Sequence, residues 1–487
     1  MTGGAVEERS PRGGADTGGG QRPLVHFTPP AGWLNDPNGL VHLDGEYHLC
    51  YQHHPHSTDW GPMHWGHAVS TDLLTWTDLP IALEPDANGT VYSGSAVVDS
   101  DGTAGRGAGA LVACYTQFTP EVQVQSVATS TDRGRTWQPL RTNPVLRPPP
   151  DTPDFRDPKV VRYREGDRAH WVMALAVGDG VWLYTSDDLR RWEPASRFQP
   201  EVGRPHGVWE CPDLFPLAVE GAGRSRWVLA CGVIDGAPAG GSGTRYWTGD
   251  FDGATFTADG PARWVDHGAD FYAAQSWSDV PDGRRIWLAW MSNWAYAGRV
   301  PADVRRGRMT LPRTLRLVDD GAGLVLAQRP VAELAARLAT PVAVDAAPTP
   351  VPGGAGRLRV AVDPGGSAEV ALSGAGGQAC VRYDDGTRRL TVRRDGAAAE
   401  ALGPGYLATH HVPVPVPADG ALDLDVVVDR GSVEVFAAGG RVCATELVAG
   451  LEDEPAPQVS VHGEGPIGAW LQAITPDAGV GGAGGAR

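Results

Sequence analysis

The sequence predicts an all-β fold in which a repetitive first part precedes a β-sandwich. Helical periodicity is almost absent from the first part, and a weak repeat follows β-rich runs such as Trp182-Leu183-Tyr184-Thr185. Each copy has a tight Asp turn that leads to an aromatic residue, roughly every 60 residues, as the hairpins of propeller blades would. The copies are Ser70-Thr71-Asp72 to Trp76, Ser130-Thr131-Asp132 to Trp137, Ser186-Asp187-Asp188 to Trp192 and, more loosely, Gly249-Asp250-Phe251-Asp252-Gly253 to Phe256.

A change of composition predicts where the repetitive part ends. Val331 to Leu338 has an apolar face that predicts a short helix, and residues 341–356 are rich in Pro, Gly and Ala. Beyond them, runs such as Leu422 to Val428 predict the strands of a sandwich. We expect a disordered arm at 1–23, a propeller at 24–330, a linker at 331–345, a sandwich at 346–476 and a flexible tail at 477–487.

Length and charge restrict the function. The chain has 487 residues, which is too long for one compact core, and its net charge of −17 comes without any Lys/Arg run. This composition argues against nucleic acid and anionic membranes as partners, and no stretch approaches a membrane span. Neutral polysaccharide is compatible with this charge. The 17 Trp residues exceed what packing needs, and flat aromatic faces match sugar rings; the plainer alternative is that most of them are core residues in strands.

The first residues and the cysteines bear on the compartment. Residues 1–22 are rich in Gly and charge and lack an apolar run, so we expect a cytoplasmic protein, or a secreted one if the sequence was trimmed. The six cysteines show neither metal-type spacing nor a dense scaffold pattern, which predicts buried free thiols.

Three acidic segments carry the chemistry. Each sets one carboxylate among aromatic, Pro or Gly residues, as a hydrolase of sugar linkages needs: one carboxylate ionised, another protonated, the two about 5 Å apart for a retaining route. Taken singly, each segment is more simply a turn or a rim residue. A propeller would bring loops from every blade to one axial pocket. The segments are Trp33-Leu34-Asn35-Asp36-Pro37-Asn38-Gly39, Phe155-Arg156-Asp157-Pro158 and Trp209-Glu210-Cys211-Pro212-Asp213.

In this order and with these flanks, the segments resemble glycoside hydrolase family 32, the β-fructosidases that include invertases, inulinases and levanases. The resemblance covers most of the chain and implies five blades followed by a sandwich. Further matching segments are His26-Phe27-Thr28-Pro29, Tyr51-Gln52, Trp60 to His67, Tyr92 to Ser95, Asp270 to Gln275, Trp290 to Trp294, Met309 to Arg313 and Asp429 to Phe436. Glu434, in the last of them, we read as structural.

The resemblance implies roles for the acids. Asp36 matches the nucleophile, Glu210 the general acid/base and Asp157 the transition-state stabiliser that also binds fructose hydroxyls. Pro37 and Gly39 would present Asp36 at a strand end without burying it fully. The neighbouring Trp209, together with the charges of the other two acids, would favour the neutral form of Glu210.

The same resemblance assigns substrate contacts, each with a plainer alternative. Arg156 is as readily an ion-pair partner of a carboxylate as a sugar contact. Adjacent strand residues point to opposite faces, so Arg156 and Asp157 share the pocket only if the segment leaves strand geometry. Gln52 could be a surface residue, and Trp60 and Trp294 could be core. The predicted contacts are Trp33, Asn35, Gln52, Trp60, Tyr92 (where Phe is more usual), Ser93, Arg156 and Trp294.

We therefore predict a retaining, exo-acting β-fructosidase on fructan or sucrose, most like levanases and exo-inulinases. A fructosyltransferase of the same family and a non-catalytic carbohydrate-binding propeller are the alternatives. We expect no cofactor and no metal, although His53, His54, His56 and His64 are clustered, because the retaining mechanism needs none. Ala295, where related fructanases often carry Gln, and Gly431, where Ser is common, depart from the pattern, so the resemblance is less complete at the subsites and the sandwich contact than at the acids. The sequence leaves the linkage preference and the oligomeric state open.

Overall fold

A computed structural model describes residues 21–152, 154–200, 207–415 and 420–477. Most of the expected N-terminal arm and C-terminal tail lies outside the described residues. Within them the chain forms a five-bladed propeller followed by a sandwich, as predicted. The part of the chain that the structure describes has no helix long and apolar enough to cross a bilayer.

Each propeller blade is an antiparallel sheet of four main strands. Blade 1 consists of β1 (Gly32–Leu43), β2 (Glu46–His54), β3 (His64–Ser70) and β4 (Thr77–Leu83). Blade 2 consists of β5 (Thr90–Asp99), β6 (Ala110–Phe118), β7 (Gln123–Ser130) and β8 (Gln138–Pro139). Blade 3 consists of β9 (Arg156–Glu165), β10 (Arg168–Val177), β11 (Gly180–Ser186) and β12 (Glu193–Phe198).

Blades 4 and 5 contain additional short strands. Blade 4 consists of β13 (Trp209–Ala218), β14 (Ser225–Val233), β15 (Gly243–Phe251) and β16 (Phe256–Ala258), with β17 (Arg263–Trp264) paired to β15. Blade 5 consists of β18 (Tyr272–Ser276), β19 (Ile286–Trp290), β21 (Arg313–Asp319) and β22 (Leu324–Pro330). Between β19 and β21, a 3₁₀ turn (Ala297–Arg299) precedes β20 (Arg305–Arg306), which pairs in parallel with β1.

The first strand of every blade lies at the propeller axis. These strands, β1, β5, β9, β13 and β18, contact one another in turn, and β18 contacts β1, so the ring closes. A hydrophobic cluster fills the space between each pair of neighbouring blades, for example Val112 of blade 2 with Trp171 of blade 3. Because both faces of a blade are covered in this way, its central strands are buried along most of their length.

The sequence repeat marks the turn between the third and fourth strands of the blades. In blade 1 the Ser70 hydroxyl donates to Asp72 (2.9 Å), and Asp72 accepts from the N–H groups of Leu74 and Thr75. The same Ser–Asp arrangement closes the turns of blades 2 and 3. Trp76 then packs into the core at 2% exposure. The propeller predicted from this repeat is confirmed. The repeat is visible in the sequence because the hydrogen bonds that form each turn join residues only a few positions apart.

A short connection joins the propeller to the sandwich. The predicted helix is present as a 3₁₀ helix (Ala332–Arg337) and not as an α-helix. One sandwich sheet contains β23 (Val342–Ala343), β25 (Ala355–Val362), β30 (Leu422–Asp429), β31 (Ser432–Ala437), β32 (Val442–Leu447) and β34 (Ile467–Ala473). The other contains β24 (Thr349–Pro350), β26 (Ser367–Ser373), β27 (Gln378–Asp384), β28 (Arg389–Asp395), β29 (His410–Pro413) and β33 (Gln458–Glu464). Two 3₁₀ turns (Pro352–Gly354 and Ala438–Gly440) and helix α1 (Ala397–Leu402) complete the domain.

The two domains meet through buried charges. Both ring nitrogens of His26 face carboxylates of the sandwich, Nδ1 at 2.8 Å from Asp429 and Nε2 at 2.7 Å from Glu434. Arg313 of the propeller donates to Glu434 and to Asp266. Glu434 is fully buried, and these contacts give it the structural role that the sequence predicts. Buried ion pairs of this kind fix how the two domains dock, because separating the domains' charged groups would leave an unpaired charge in the interior.

Candidate active site

All five axial strands carry a register shift close to the axial pocket. The shifts follow Leu34 in β1, Val91 in β5, Arg156 in β9, Glu210 in β13 and Tyr272 in β18. A bulge places an extra residue in one strand and re-aims the side chains beside it. The polar residues at these bulges therefore turn toward the axis, although they lie in strands of five different blades.

The segment of β9 with Arg156 and Asp157 has the departure from strand geometry that two adjacent pocket residues require. Asp157 has φ 64°, in the left-handed region that non-glycine residues rarely adopt. The pairing of β9 with β10 is irregular at the same place, opposite Ala174 to Ala176. Arg156 and Asp157 consequently reach the same cluster of carboxylates, with the Arg156 Nε 3.9 Å from Asp157 Oδ2.

Asp36 lies within β1 and not at a strand end, so that detail of the prediction is wrong. The bulge between Leu34 and Pro37, and not a strand end, re-aims the side chain of Asp36. The Ser93 hydroxyl donates to Asp36 Oδ2 (2.7 Å). Burial, and then the charge of Glu210, raise the pKa of Asp36 to about 6. The carboxylate is therefore mostly ionised at neutral pH yet poorly solvated, as a nucleophile must be.

Asp157 is held by backbone and charge. The N–H of Cys211 donates to its Oδ2 (3.0 Å), and the Cys211 thiol lies 3.7 Å from the same oxygen and 3.5 Å from Asp36 Oδ2. Burial raises the pKa of Asp157; the Arg156 guanidinium opposes this effect, and the charges of Glu210 and Asp36 add to it. The Cys211 thiol thus lies between the carboxylates of Asp36 and Asp157. Because buried carboxylates that repel each other favour the protonated form, this pair binds a proton more readily than free aspartates do.

Glu210 has a cation on one oxygen and a phenol on the other. Arg156 donates to Oε1 through Nη2 (3.0 Å) and Nε (3.3 Å), and the Tyr272 hydroxyl donates to Oε2. Burial raises the pKa of Tyr272 well above its usual value, so this phenol stays protonated. The predicted effect of Trp209 is wrong, because Trp209 stacks on Trp247 in the core between blades 3 and 4. Arg156 forms the predicted ion pair.

Two of the predicted sugar contacts, Trp33 and Trp294, form an aromatic wall, and a third, Asn35, is hydrogen-bonded to it. Trp33 stacks on Trp294 with ring centroids 6.2 Å apart and planes 19° apart. The indole N–H of Trp33 donates to the Asn35 side chain (2.7 Å). Trp33 is buried, and Trp294 is partly buried and packs against the same cluster, so the stack is held by the core.

Three further predicted contacts, Tyr92, Trp60 and Gln52, lie at or beside the start of β5. Tyr92 stacks on Phe118 with centroids 4.6 Å apart, and Trp60, which is 50% exposed, lies edge-on to Tyr92. Gln52 is buried and donates to the Val91 carbonyl (3.0 Å), so it is not a surface residue. Trp60 is not core either, and it forms an exposed rim over the other aromatic rings.

Sequence reasoning assigned no role to two residues that touch the carboxylates, Tyr272 and Cys211. Both lie inside segments that carry the family resemblance, Asp270 to Gln275 and Trp209 to Asp213. Tyr272 hydrogen-bonds to Glu210, which lies 62 positions away in the chain, so no local pattern links the two residues. The only available hint was that a tyrosine stands within a segment that matches the family. Gln275 of the same segment donates to the carbonyls of Cys211 and Pro212 and so supports the bulge.

Two further features bound the chemistry. Among the described residues, no group of three or more His, Cys, Asp or Glu side chains is placed to hold a metal ion. A cavity of about 310 Å³ lies where the propeller meets the sandwich, and its lining includes Trp33, Trp290, Arg308 and Glu452 but none of the three acids.

The arrangement supports acid–base and nucleophilic chemistry at one carbon. It offers a desolvated, mostly ionised aspartate, a glutamate whose two oxygens are oriented by Arg156 and Tyr272, and a third carboxylate between them in the hydrogen-bond network. Such a pair of oriented carboxylates is what glycoside cleavage uses.

Comparison with known proteins agrees with this geometry. A levanase of Bacillus subtilis (strain 168) is 44% identical over 450 residues, which are 88% of this chain and 66% of that protein. The crystal structure of exo-inulinase from Aspergillus awamori superposes with a TM-score of 0.85 at 30% identity, covering 93% of this chain and 98% of that one. A fructofuranosidase from Schwanniomyces occidentalis complexed with fructose gives a TM-score of 0.83 at 29% identity, with the same coverage.

The family match extends over both domains. Residues 26–330 match the Glycosyl hydrolases family 32 N-terminal domain, and residues 337–461 match the Glycosyl hydrolases family 32 C terminal description. The first match begins at His26 and ends with β22, and the second covers most of the sandwich. The chain therefore belongs to glycosyl hydrolases family 32.

Proposed function

We propose that the chain is a retaining, exo-acting β-fructosidase that releases terminal fructose from fructans and also cleaves sucrose. The observation that carries this proposal is the convergence of Asp36, Asp157 and Glu210, from three blades, on one pocket with Arg156 and Tyr272. The printed names of its relatives, levanase and exo-inulinase, support the same substrate class.

The proposed reaction has two steps. Asp36 attacks the anomeric carbon of the fructosyl unit while Glu210 gives its proton to the departing oxygen, and a covalent fructosyl–Asp36 ester forms. Water then attacks the same carbon, Glu210 takes the proton of that water, and fructose leaves with retained configuration. Asp157 accepts hydrogen bonds from fructose hydroxyls, which strengthen as the ring gains positive charge.

The walls of the pocket support release of one unit at a time. In this proposal the stacked Trp33 and Trp294 and the ring of Tyr92 contact the fructose that is released, and few contacts reach the rest of the substrate. Trp60 at the rim is placed to touch the next unit of a polymer. A site that contacts mainly the terminal fructose accepts different sugar units on the other side of the cleaved bond. This accounts for activity on both fructan and sucrose.

Incubation with levan, inulin and sucrose tests the proposal, with chromatography at early times and with Asp36→Asn as the inactive control. Free fructose as the dominant early product is expected. Early oligosaccharides would contradict exo-cleavage, and longer fructosyl products from sucrose would indicate a transferase. Binding of fructan without any turnover would indicate a non-catalytic carbohydrate-binding protein.

A further inference from the structure

A buried arginine of the sandwich forms hydrogen bonds with propeller residues that are close in sequence to Tyr272 and Trp294. Arg394 of β28 is 1% exposed, and its guanidinium donates to Asp270 Oδ2 and, through Nη2, to the Tyr296 hydroxyl (2.8 Å). Its Nε donates to the carbonyl of Tyr406 (2.7 Å). Asp270 and Tyr296 belong to the propeller, whereas Tyr406 belongs to the sandwich, so one cation is shared by both domains.

Asp270 fixes the entry to the strand that orients Glu210. Its carboxylate accepts from Arg394, from the Tyr296 hydroxyl (2.7 Å) and from the N–H of Leu447 (2.8 Å). Two residues later, Tyr272 opens β18 and donates to Glu210. The bulge begins at Tyr272, and Ala273 has φ 54°, so the strand has no regular ladder here to hold the phenol in place. The fastening at Asp270 supplies that support.

Tyr296 fixes a second segment, the one that carries Trp294. The Asn293 amide donates to the Ala269 carbonyl (2.8 Å), which joins this segment to the residue before Asp270. Trp294 stacks on Trp33, which in turn bonds to Asn35, the neighbour of Asp36. The guanidinium of Arg394 is thus connected to the acid side of the pocket through Asp270 and to the aromatic wall through Tyr296.

The number and the directions of its partners explain why an arginine is needed at position 394. Glu446 also lies 3.0 Å from Arg394 Nη1, and His410 pairs with Glu446 from the other side. A planar guanidinium can serve two carboxylates, a hydroxyl and a carbonyl at once, whereas an ammonium is a point charge. Arg394→Lys therefore keeps the charge that the buried carboxylates need but cannot keep all the directions.

We propose that Arg394 is a positioning residue for the active site, which holds Tyr272 against Glu210 and Trp294 against Trp33 by fastening Asp270 and Tyr296. The sandwich is then a working part of the catalytic site and not only a support for the propeller. This inference rests on the proposed β-fructosidase function.

The test compares two substrates that differ in their need for an acid. Sucrose has a poor leaving group that must be protonated, and an aryl β-fructofuranoside has a leaving group that needs little help. If Arg394→Lys loosens the orientation of Glu210, kcat/KM falls about tenfold more on sucrose than on the aryl fructoside, a fraction of the 10²–10⁴ that a positioned acid contributes. A purely structural role would lower the folded fraction and reduce both rates equally.

Two matched variants make the result decisive. Arg357→Lys is the control, because Arg357 pairs with Asp425 inside the sandwich and should leave the substrate ratio unchanged. Tyr296→Phe removes one hydroxyl from the network without removing charge, so it addresses the same link if Arg394→Lys fails to fold; we expect a rise in KM larger than the fall in kcat.

A double variant tests the route through Tyr272. In the Tyr272→Phe background, Arg394→Lys should add no further loss to the sucrose-to-aryl ratio, since coupled residues are non-additive. Additive losses, or equal losses on both substrates, would overturn the positioning role. If the wild-type protein is active but Arg394→Lys and Arg357→Lys have the same sucrose-to-aryl ratio of kcat/KM, this inference alone is overturned. A wild-type protein inactive on both substrates overturns the proposed function and this inference with it.

Discussion

Asp36→Asn should make the folded protein more stable while it abolishes turnover. Burial and the charge of Glu210 raise the pKa of Asp36 from 3.8 to about 6. The difference of about 2 units corresponds to about 3 kcal/mol that the ionised carboxylate costs the folded state, at 1.36 kcal/mol per unit. An amide of the same shape carries no such cost and can still accept the hydrogen bond from Ser93.

The sign of the pH dependence follows from the raised pKa. Below 3.8 the carboxyl of Asp36 is protonated in both the folded and the unfolded chain, so it costs nothing. Between 3.8 and about 6 the unfolded chain has ionised while the folded chain keeps the proton, and stability falls as pH rises. Above about 6 the cost is complete. The gain from Asp36→Asn should therefore be small at pH 4 and about 1 to 3 kcal/mol at pH 8.

Urea unfolding followed by Trp fluorescence at the two pH values measures this gain. Asp429→Asn is the matched control, because Asp429 is also a buried carboxylate but its pKa is lowered and not raised. Burial alone would raise the pKa of Asp429, but His26 and the N–H groups of Leu24 and Val25 lower it overall. Asp429→Asn should therefore lose stability at pH 8. An Asp36→Asn protein that is no more stable than wild type at pH 8, or that gains equally at both pH values, would refute the reasoning.

Further expectations concern the acid, the rim, the domain interface and the carboxylate separation. Glu210→Ala should lose about 100-fold more activity on sucrose than on an aryl β-fructofuranoside, and equal losses in the two assays would contradict its role as the acid. Trp60→Ala should raise KM for levan severalfold with little change in kcat or unfolding free energy, because its ring is half exposed beside Tyr92; an unchanged KM in initial-rate assays would remove Trp60 from the substrate path. His26→Gln should lower the free energy of unfolding by about 3 kcal/mol at pH 6, because it leaves two buried carboxylates without a cation. Asp429 and Glu434 outweigh burial and raise the pKa of His26, so the difference in unfolding free energy from wild type should narrow as pH rises through that pKa. Urea unfolding that shows a constant difference from pH 6 to 9 would contradict this. A crystal structure with bound fructose should place the carboxyl groups of Asp36 and Glu210 about 5 to 6 Å apart, and a separation nearer 9 Å would favour inversion.

The sequence by itself determined the class of fold and the three acids. Strands that alternate between turns, and an Asp turn that recurs between the third and fourth strands of three blades, depend only on neighbours a few residues apart. The acids stood out for a similar reason, since Asp36, Asp157 and Glu210 each lie in a short segment with distinctive flanks. The same reasoning foresaw that Arg156 and Asp157 share the pocket only with a break in strand geometry, which the positive φ of Asp157 provides.

Only the tertiary structure decided what surrounds those acids. Trp209 and Glu210 are adjacent in a strand, and Trp209 faces the core while Glu210 meets Arg156 and Tyr272, which lie 54 and 62 positions away. The register shifts in β1, β5, β13 and β18 were not predicted from the sequence and are seen only in the pairing of the strands. Contacts between residues so far apart in the chain depend on how the blades and the sandwich dock, and for that reason they become visible only in the folded protein.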